Sequence, residues 1–98
     1  MSLGLLEISG VAPAVDALDI MLKTADVSFV TWERKLGGRL VTIIVEGNVA
    51  AVTEAVAAAS ARAIRKPVAT AVIANPHPET LRLVAVSASR LAKKAKKS

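Results

Sequence analysis

The amino-acid sequence predicts an α+β domain in which helices pack on one face of an antiparallel sheet, followed by a C-terminal helix. Two stretches carry apolar residues three and four positions apart, the spacing of a helix with one buried face. Short segments rich in β-branched residues alternate with these stretches, and such residues favour strands. The glycine pair Gly37-Gly38 separates two of the short segments, which favours a tight turn between neighbouring antiparallel strands.

The first predicted strand covers Leu3–Ser9 and is closed by Gly10. A helix is predicted from Pro13 to Ala25, because proline suits the first helical turn, where its missing N–H leaves no bond unmade. The polar face of this helix would carry Asp16, Asp19 and Lys23, and its buried face would carry Ala14, Leu18, Met21, Leu22 and Ala25.

The second and third predicted strands are Val27–Glu33 and Leu40–Glu46. Between them, the segment Lys35–Arg39 contains the paired glycines and should form the turn of a hairpin. The two strands are therefore expected to be neighbours in the sheet.

A second helix is predicted to start after Asn48, whose side chain is a plausible N-cap. The apolar face of this helix would consist of Val49, Val52, Val56, Ala59 and Ala63. A fourth strand, Val68–Ala74, should end where two prolines interrupt the chain, and a last helix should run from Glu79 to about Leu91. The resulting order, β-α-β-β-α-β plus a terminal helix, is that of the ferredoxin-like class.

The composition predicts one domain that hides part of its surface against other subunits. The chain has 98 residues, of which 53% are hydrophobic, and its mean hydropathy of +0.50 is high for a domain that leaves so much surface exposed. The longest charge-free run, Pro67–Pro78, is too short for a membrane span and contains three prolines. No basic region precedes the first apolar residues, so no secretory signal is expected and the predicted location is the cytoplasm.

The net charge of +5 is concentrated at one end of the chain. Removing the basic residues from Arg90 onward leaves eight basic and eight acidic side chains in residues 1–89. The sequence therefore predicts a neutral folded domain at residues 1–91 and a solvated, flexible basic tail at residues 92–98. The tail lysines could hold phosphates or acidic lipids non-specifically, but they lack interleaved apolar residues.

Few residues could perform catalysis. The chain has no cysteine, and its one histidine, His77, lies between two prolines without an acidic neighbour. Asp16 and Asp19 lie about one helical turn apart, where a solvated helix face is the favoured interpretation. Because an enzyme needs several convergent groups, we expect no enzymatic activity, no cofactor and no metal site.

Two binding alternatives involve the turn and the aromatic residues. Gly37, Gly38 and Arg39 could cradle a phosphate through backbone N–H groups, although no phosphate-binding fingerprint is present. Phe29 and Trp32 could stack RNA bases, but their separation by three positions predicts opposite faces of one strand. No nucleic-acid or membrane partner is therefore expected.

Several stretches, taken together, resemble one family. They are LGLLE at residues 3–7, AVDALDIMLKTA at 14–25, ERKLGGRLVT at 33–42, VEGNVAAV at 45–52 and VIANPH at 72–77. Their order and spacing resemble the hexamer-forming shell domain of bacterial microcompartments, over a match that runs from Leu3 to about Leu83. The resemblance implies a non-permuted shell domain that is not catalytic.

The resemblance also implies partners and site residues. It implies a homohexamer with a central pore that tiles with neighbouring hexamers and other shell proteins around encapsulated enzymes, and small metabolites would cross the pore. The pore would be lined or flanked by Leu36, Gly37, Gly38 and Arg39, and the hexamer edge would carry Lys23, Asn75 and His77. Many members have a serine at the position of Gly38, a further glycine at the position of Arg39 and an arginine at the position of Asn75.

Two other classes of function are compatible with the predicted topology. A ferredoxin-like domain that senses small molecules would also form symmetric oligomers, but it should bind a ligand between subunits. An RNA-binding module should bind through the sheet in a salt-dependent way.

Overall fold

A computed structural model of the chain describes residues 1–97, with side chains described as far as Lys94, and contains every element that the sequence predicts. The elements are β1 (Ser2–Ile8), α1 (Val11–Thr24), β2 (Ser28–Lys35), a short 3-10 turn (Leu36–Gly38), β3 (Leu40–Gly47), α2 (Val49–Arg62), β4 (Ala69–Ala74) and α3 (Pro78–Lys97). Among these described residues, no helix combines the length and the apolar character needed to cross a membrane.

The four strands form one antiparallel sheet in the order β2-β3-β1-β4. β1 is central, and its Leu3 pairs with Glu46 of β3 on one side and with Ile73 of β4 on the other. This strand order confirms the ferredoxin-like fold class, because the hairpin β2–β3 and both β-α-β crossovers occupy the positions that the class requires.

The two faces of the sheet carry different helices. Alternate residues of the central strands, such as Leu6 and Ile43, are fully buried under α1 and α2, as expected from the period of two along a strand. α3 packs over β2 from the opposite face, where its Ser87 contacts Thr31. The sheet is therefore covered by helices on both faces, with the apolar core on the side of α1 and α2.

Small residues allow α2 to lie very close to β1. A Cβ atom built on Gly4 would stand 2.7 Å from the Cγ1 atom of Val52, which is closer than real Cβ contacts allow. The helix also presents the buried alanines Ala55 and Ala59 to the core. The predicted N-cap is confirmed, since the Asn48 side chain accepts a hydrogen bond of 2.8 Å from the Ala51 backbone N–H.

Two helix boundaries differ from the prediction. α1 begins at Val11, so Pro13 lies within the first turn, where helical N–H groups have no intrahelical acceptor. α3 continues to Lys97 rather than ending near Leu91. Alanine and lysine are good helix formers, and basic side chains interact favourably with the C-terminal end of a helix. Ser98 lies outside the described residues, and the division of the chain at residue 92 remains a prediction.

The prediction that Phe29 and Trp32 point to opposite faces is wrong. The β2–β3 register shifts between Phe29 and Thr31, so that Phe29 pairs with Val45 and Trp32 pairs with Ile43. Val45 and Ile43 both belong to the core, and residues paired across strands lie on the same face. A one-residue bulge in β2 breaks the strict alternation that the prediction assumed. Phe29 and Trp32 therefore lie on the same face of the sheet.

Candidate pore turn and assembly surface

The β2–β3 turn has an unusual backbone. Leu36, Gly37 and Gly38 have positive φ values of 54°, 67° and 91°. The two glycines adopt this region without steric cost, whereas a leucine rarely does. The Leu36 side chain is 71% exposed, so apolar packing within this chain does not account for its conformation. The turn is closed by a 3.3 Å hydrogen bond from the Arg39 N–H to the Leu36 carbonyl oxygen.

The base of the turn is anchored on the start of α1, while its tip is open. The Arg39 carbonyl oxygen accepts a 3.1 Å hydrogen bond from the Gly10 N–H. A Cβ atom on Gly38 would lie 3.0 Å from Val11 Cγ2, whereas a Cβ atom on Gly37 would meet nothing within 4 Å. The space around Gly37, at the tip of the predicted pore segment, is therefore open.

Arg39, at the end of the turn, carries an exposed guanidinium. Among the described side chains, no carboxylate forms an ion pair with it, so the alternative in which Arg39 folds back onto Glu33 or Glu46 is not adopted within this chain. Its positive charge therefore remains available to solvent beside the turn.

Lys23, the first predicted edge residue, lies in the last turn of α1 with its side chain 75% exposed. Its Nζ atom is 2.8 Å from Oδ2 of Asp19, one helical turn earlier. The hydrogen bond to Asp19, together with the attraction of the opposite charge, raises the pKa of Lys23 above its ordinary value. Both side chains remain largely in solvent, as predicted for this helix face.

Asp16 differs from the prediction that it lies on a merely solvated face. Its Oδ2 atom accepts a 2.8 Å hydrogen bond from the backbone N–H of Ile64, just beyond the end of α2. Arg62 also crosses to α1 and donates a 2.6 Å hydrogen bond to Oγ1 of Thr24. These two hydrogen bonds connect α1 to the last residue of α2 and to the segment that follows this helix.

Asn75 and His77, the other predicted edge residues, lie between β4 and α3. Asn75 is exposed and has a positive φ of 49°, which asparagine tolerates better than most residues. Nδ1 of His77 accepts a 3.0 Å hydrogen bond from the Glu79 backbone N–H, so this side chain caps the start of α3. The topology places Asn75 and Lys23 at the same end of the sheet, where β1 begins.

A polar contact between β2 and α3 has no counterpart among the predictions from the sequence. Oγ1 of the fully buried Thr31 lies 3.0 Å from Oγ of Ser87, and the Ser87 hydroxyl donates a hydrogen bond to the Glu33 carboxylate. Ser87 is more than 50 positions from both Thr31 and Glu33 in the chain. No local pattern could have linked them, although the polar residues at alternate positions of β2 were visible.

The site has the features of a binding and assembly surface. Within the described residues, no group of three or more histidine, cysteine, aspartate or glutamate side chains is arranged to hold a metal ion. The turn offers exposed backbone and one unpaired guanidinium, and large apolar side chains remain exposed on several elements. This combination defines the class as a small α+β domain whose surface suits contact with other chains.

Comparison with known proteins identifies the family. The model of the BMC domain family matches residues 2–76, which covers β1 to β4. The chain therefore belongs to the BMC domain family, and α3 lies beyond the matched residues.

Its relatives include proteins named for bacterial microcompartments and carboxysomes. The shell protein PduA of Citrobacter freundii is 40% identical over 85 residues, which cover 85% of this chain and 90% of that protein. The carboxysome shell protein CsoS1C of Hydrogenovibrio crunogenus is 38% identical over 92 residues, which cover 91% of this chain and 89% of that protein. These relatives favour the shell family over the small-molecule-sensing alternative.

A solved structure shares the fold. The crystal structure of a microcompartment protein from Desulfitobacterium hafniense matches with a TM-score of 0.76 and 28% sequence identity. The match covers 88% of this chain but 47% of that protein, so this chain spans about half the length of that relative.

Proposed function

We propose that this chain is a structural shell protein that forms hexamers with a central pore, and that the hexamers tile into a shell around metabolic enzymes in the bacterial cytoplasm. The observation that carries the proposal is the family match across all four strands, in a chain similar over most of its length to shell proteins. In this role the chain is not an enzyme, and its partners are further copies, other shell proteins and the enclosed enzymes.

The exposed apolar surface supports assembly with other copies. Single exposed apolar residues are ordinary, but here they are large and occur on most elements of a small domain. The most exposed are Met1 at 58%, Val15 at 50%, Leu36 at 71%, Val49 at 50%, Ile64 at 72%, Val68 at 61% and Leu83 at 61%. Burying such side chains against other subunits would contribute about 25 cal/mol per Å² of apolar area.

The β2–β3 turn is the proposed pore segment. Leu36, Gly37, Gly38 and Arg39 would line or flank the opening, with the side-chain-free tip at Gly37 leaving it wide. Symmetry-related copies of Arg39 would add a positive field, because no described carboxylate of the same chain forms an ion pair with this guanidinium. Small anionic or polar metabolites should therefore pass in preference to cations.

Lys23, Asn75 and His77 are the proposed contacts between hexamers. Lys23 is exposed and Asn75 lies at the same end of the sheet, which suits a shared edge. His77 already uses Nδ1 to cap α3, so only its opposite ring edge remains for a neighbouring hexamer.

Two measurements on the purified full chain test this proposal. Sedimentation velocity at micromolar concentration should show a hexamer, and electron microscopy should show flat sheets or tubes. A monomer or dimer at that concentration would contradict the proposal, because the exposed apolar surface would then have no subunit to cover it.

Charge reversal at Lys23 separates the two levels of assembly. Lys23→Glu should preserve the hexamer and abolish sheets, whereas Asp19→Asn, the matched control, breaks the ion pair but keeps the positive charge and should preserve both. Loss of the hexamer in Lys23→Glu would instead place this residue inside an interface between protomers.

A further inference from the structure

A cleft of about 390 Å³ lies beside β2, between this strand, the β2–β3 turn and the C-terminal half of α3. β2 is the terminal strand of the sheet on this side, so its outer edge has no strand neighbour among the described residues. The cleft is lined by neighbouring residues of β2, Glu33 and Arg34, and by Ser87 and Arg90 of α3. It therefore forms only when α3 is docked.

The charges around this cleft are mainly positive. Arg34, Arg90 and Lys94 line it together with one carboxylate, that of Glu33. As far as the structure describes side chains, neither guanidinium is in an ion pair with a carboxylate. Both arginines are exposed, so their N–H groups can reach a ligand without first leaving a protein partner.

The single carboxylate is engaged by a chain of hydroxyl groups. A carboxylate can only accept, so the one hydroxyl hydrogen of Ser87 is donated to Glu33. The Ser87 hydrogen is then used, so Thr31 is the donor in its 3.0 Å contact with Ser87, and its other acceptor, the Trp32 carbonyl oxygen, lies farther away at 3.5 Å. Ser87 is 7% exposed and Thr31 is fully buried, which gives the cleft a rigid polar wall.

We propose that this cleft binds a small divalent oxyanion, namely phosphate or a phosphate ester. A guanidinium presents parallel N–H donors that match two oxygens of a phosphate. Two guanidinium groups, those of Arg34 and Arg90, line this one cleft. Like charges around a concave site also raise the local concentration of anions. The cleft shares Gly37 and Gly38 with the proposed pore segment, whereas α3, which closes it, lies beyond the residues matched by the family.

Isothermal titration of the full chain with inorganic phosphate tests the proposal. The titration is run at a mildly alkaline pH, where the dianion of inorganic phosphate predominates, with the ionic strength held constant by sodium chloride. Saturable binding is expected, and Arg34→Gln and Arg90→Gln should each weaken it about tenfold. Arg82→Gln is the matched control, because Arg82 lies on the same helix, outside the cleft, and should change the affinity little.

Glu33→Gln provides a test with the opposite sign. Glutamine retains an oxygen that accepts from Ser87 but removes the one negative charge of the cleft, so phosphate should bind several-fold more tightly. A parallel titration with glycerol 3-phosphate distinguishes the two sources of the anion. Tighter binding of the ester would assign the cleft to phosphorylated metabolites, and equal or weaker binding would assign it to free phosphate.

Several outcomes would overturn the proposal. Absence of saturable phosphate binding by the parent would do so, as would equal losses in Arg82→Gln and Arg90→Gln, which would indicate a general electrostatic attraction. If Arg39→Gln abolished binding while the two cleft variants did not, the anion would belong to the turn and not to the cleft. Thermal melts of each variant establish that the exposed substitutions leave the fold intact, and sedimentation reports separately on the hexamer.

Discussion

The two faces of the sheet are held by different interactions. Under α1 and α2, side chains such as Leu6, Ile8 and Met21 are completely buried in a continuous apolar core. On the opposite face, Leu3 and Ile44 of the sheet are buried, Leu81, Val84 and Leu91 of α3 are half-buried, and Thr31 and Ser87 form a buried hydroxyl pair. The first face therefore supplies most of the hydrophobic stabilisation, whereas the second combines fewer buried apolar residues with a specific polar contact and should open more readily.

The largest effect should come from the first face. Leu6→Ala removes a fully buried side chain and leaves a cavity, so the free energy of unfolding should fall by about 2–5 kcal/mol. Denaturant melts at one fixed protein concentration measure this change, because assembly would otherwise shift the apparent stability.

The matched control for Leu6→Ala is Leu83→Ala, since Leu83 is a leucine on α3 that is 61% exposed. The control should change stability by less than about 0.5 kcal/mol in a dissociated chain. Similar losses in the two variants would show that the core face does not dominate stability.

An intermediate effect is expected from Ser87→Ala on the second face. The substitution leaves the buried hydroxyl of Thr31 with only the long 3.5 Å hydrogen bond to the Trp32 carbonyl oxygen, which should cost about 1 kcal/mol. Because Ser87 belongs to α3, amide hydrogen exchange should accelerate in α3 and remain slow in β1 and α2. Ser89→Ala, at an exposed position of the same helix, should leave the exchange unchanged. Uniform acceleration across the chain would mean that α3 does not open separately.

The smallest effect concerns the exposed Lys23–Asp19 pair on α1. The pKa of Lys23 is raised in the folded chain, so the pair stabilises the fold fully below the unfolded pKa near 10.5. That contribution is lost as the pH rises through the higher folded pKa. Asp19→Asn should therefore lower the Tm slightly at neutral pH, and the difference from the parent should vanish at high pH and shrink in salt. If the difference in Tm between the parent and Asp19→Asn increased with pH, the ion pair with Lys23 would not be its cause.

The elements and their order could be predicted from the sequence because their signals are local. The alternation along Leu40–Glu46, the helical spacing after Pro13 and the capping side chain of Asn48 depend on residues within a few positions of one another. The glycine pair likewise predicted the hairpin, and two of its residues adopt the positive φ that glycine permits. The resemblance of ordered segments then led to the family that the comparison confirms.

The arrangement of the faces and the anion-binding cleft depended on the tertiary structure. The bulge in β2 shifts Phe29 relative to Trp32, and one extra residue in a strand has no distinct sequence pattern. The contact of Ser87 with Thr31 joins positions 56 apart, and it exists only because α3 returns across the face that α1 and α2 leave open. Periodicity tells which side of a helix is apolar, but it contains no information on which distant surface will cover that side. The direction that the chain takes after Asn75 therefore determines where the charged side chains of α3 approach those of β2.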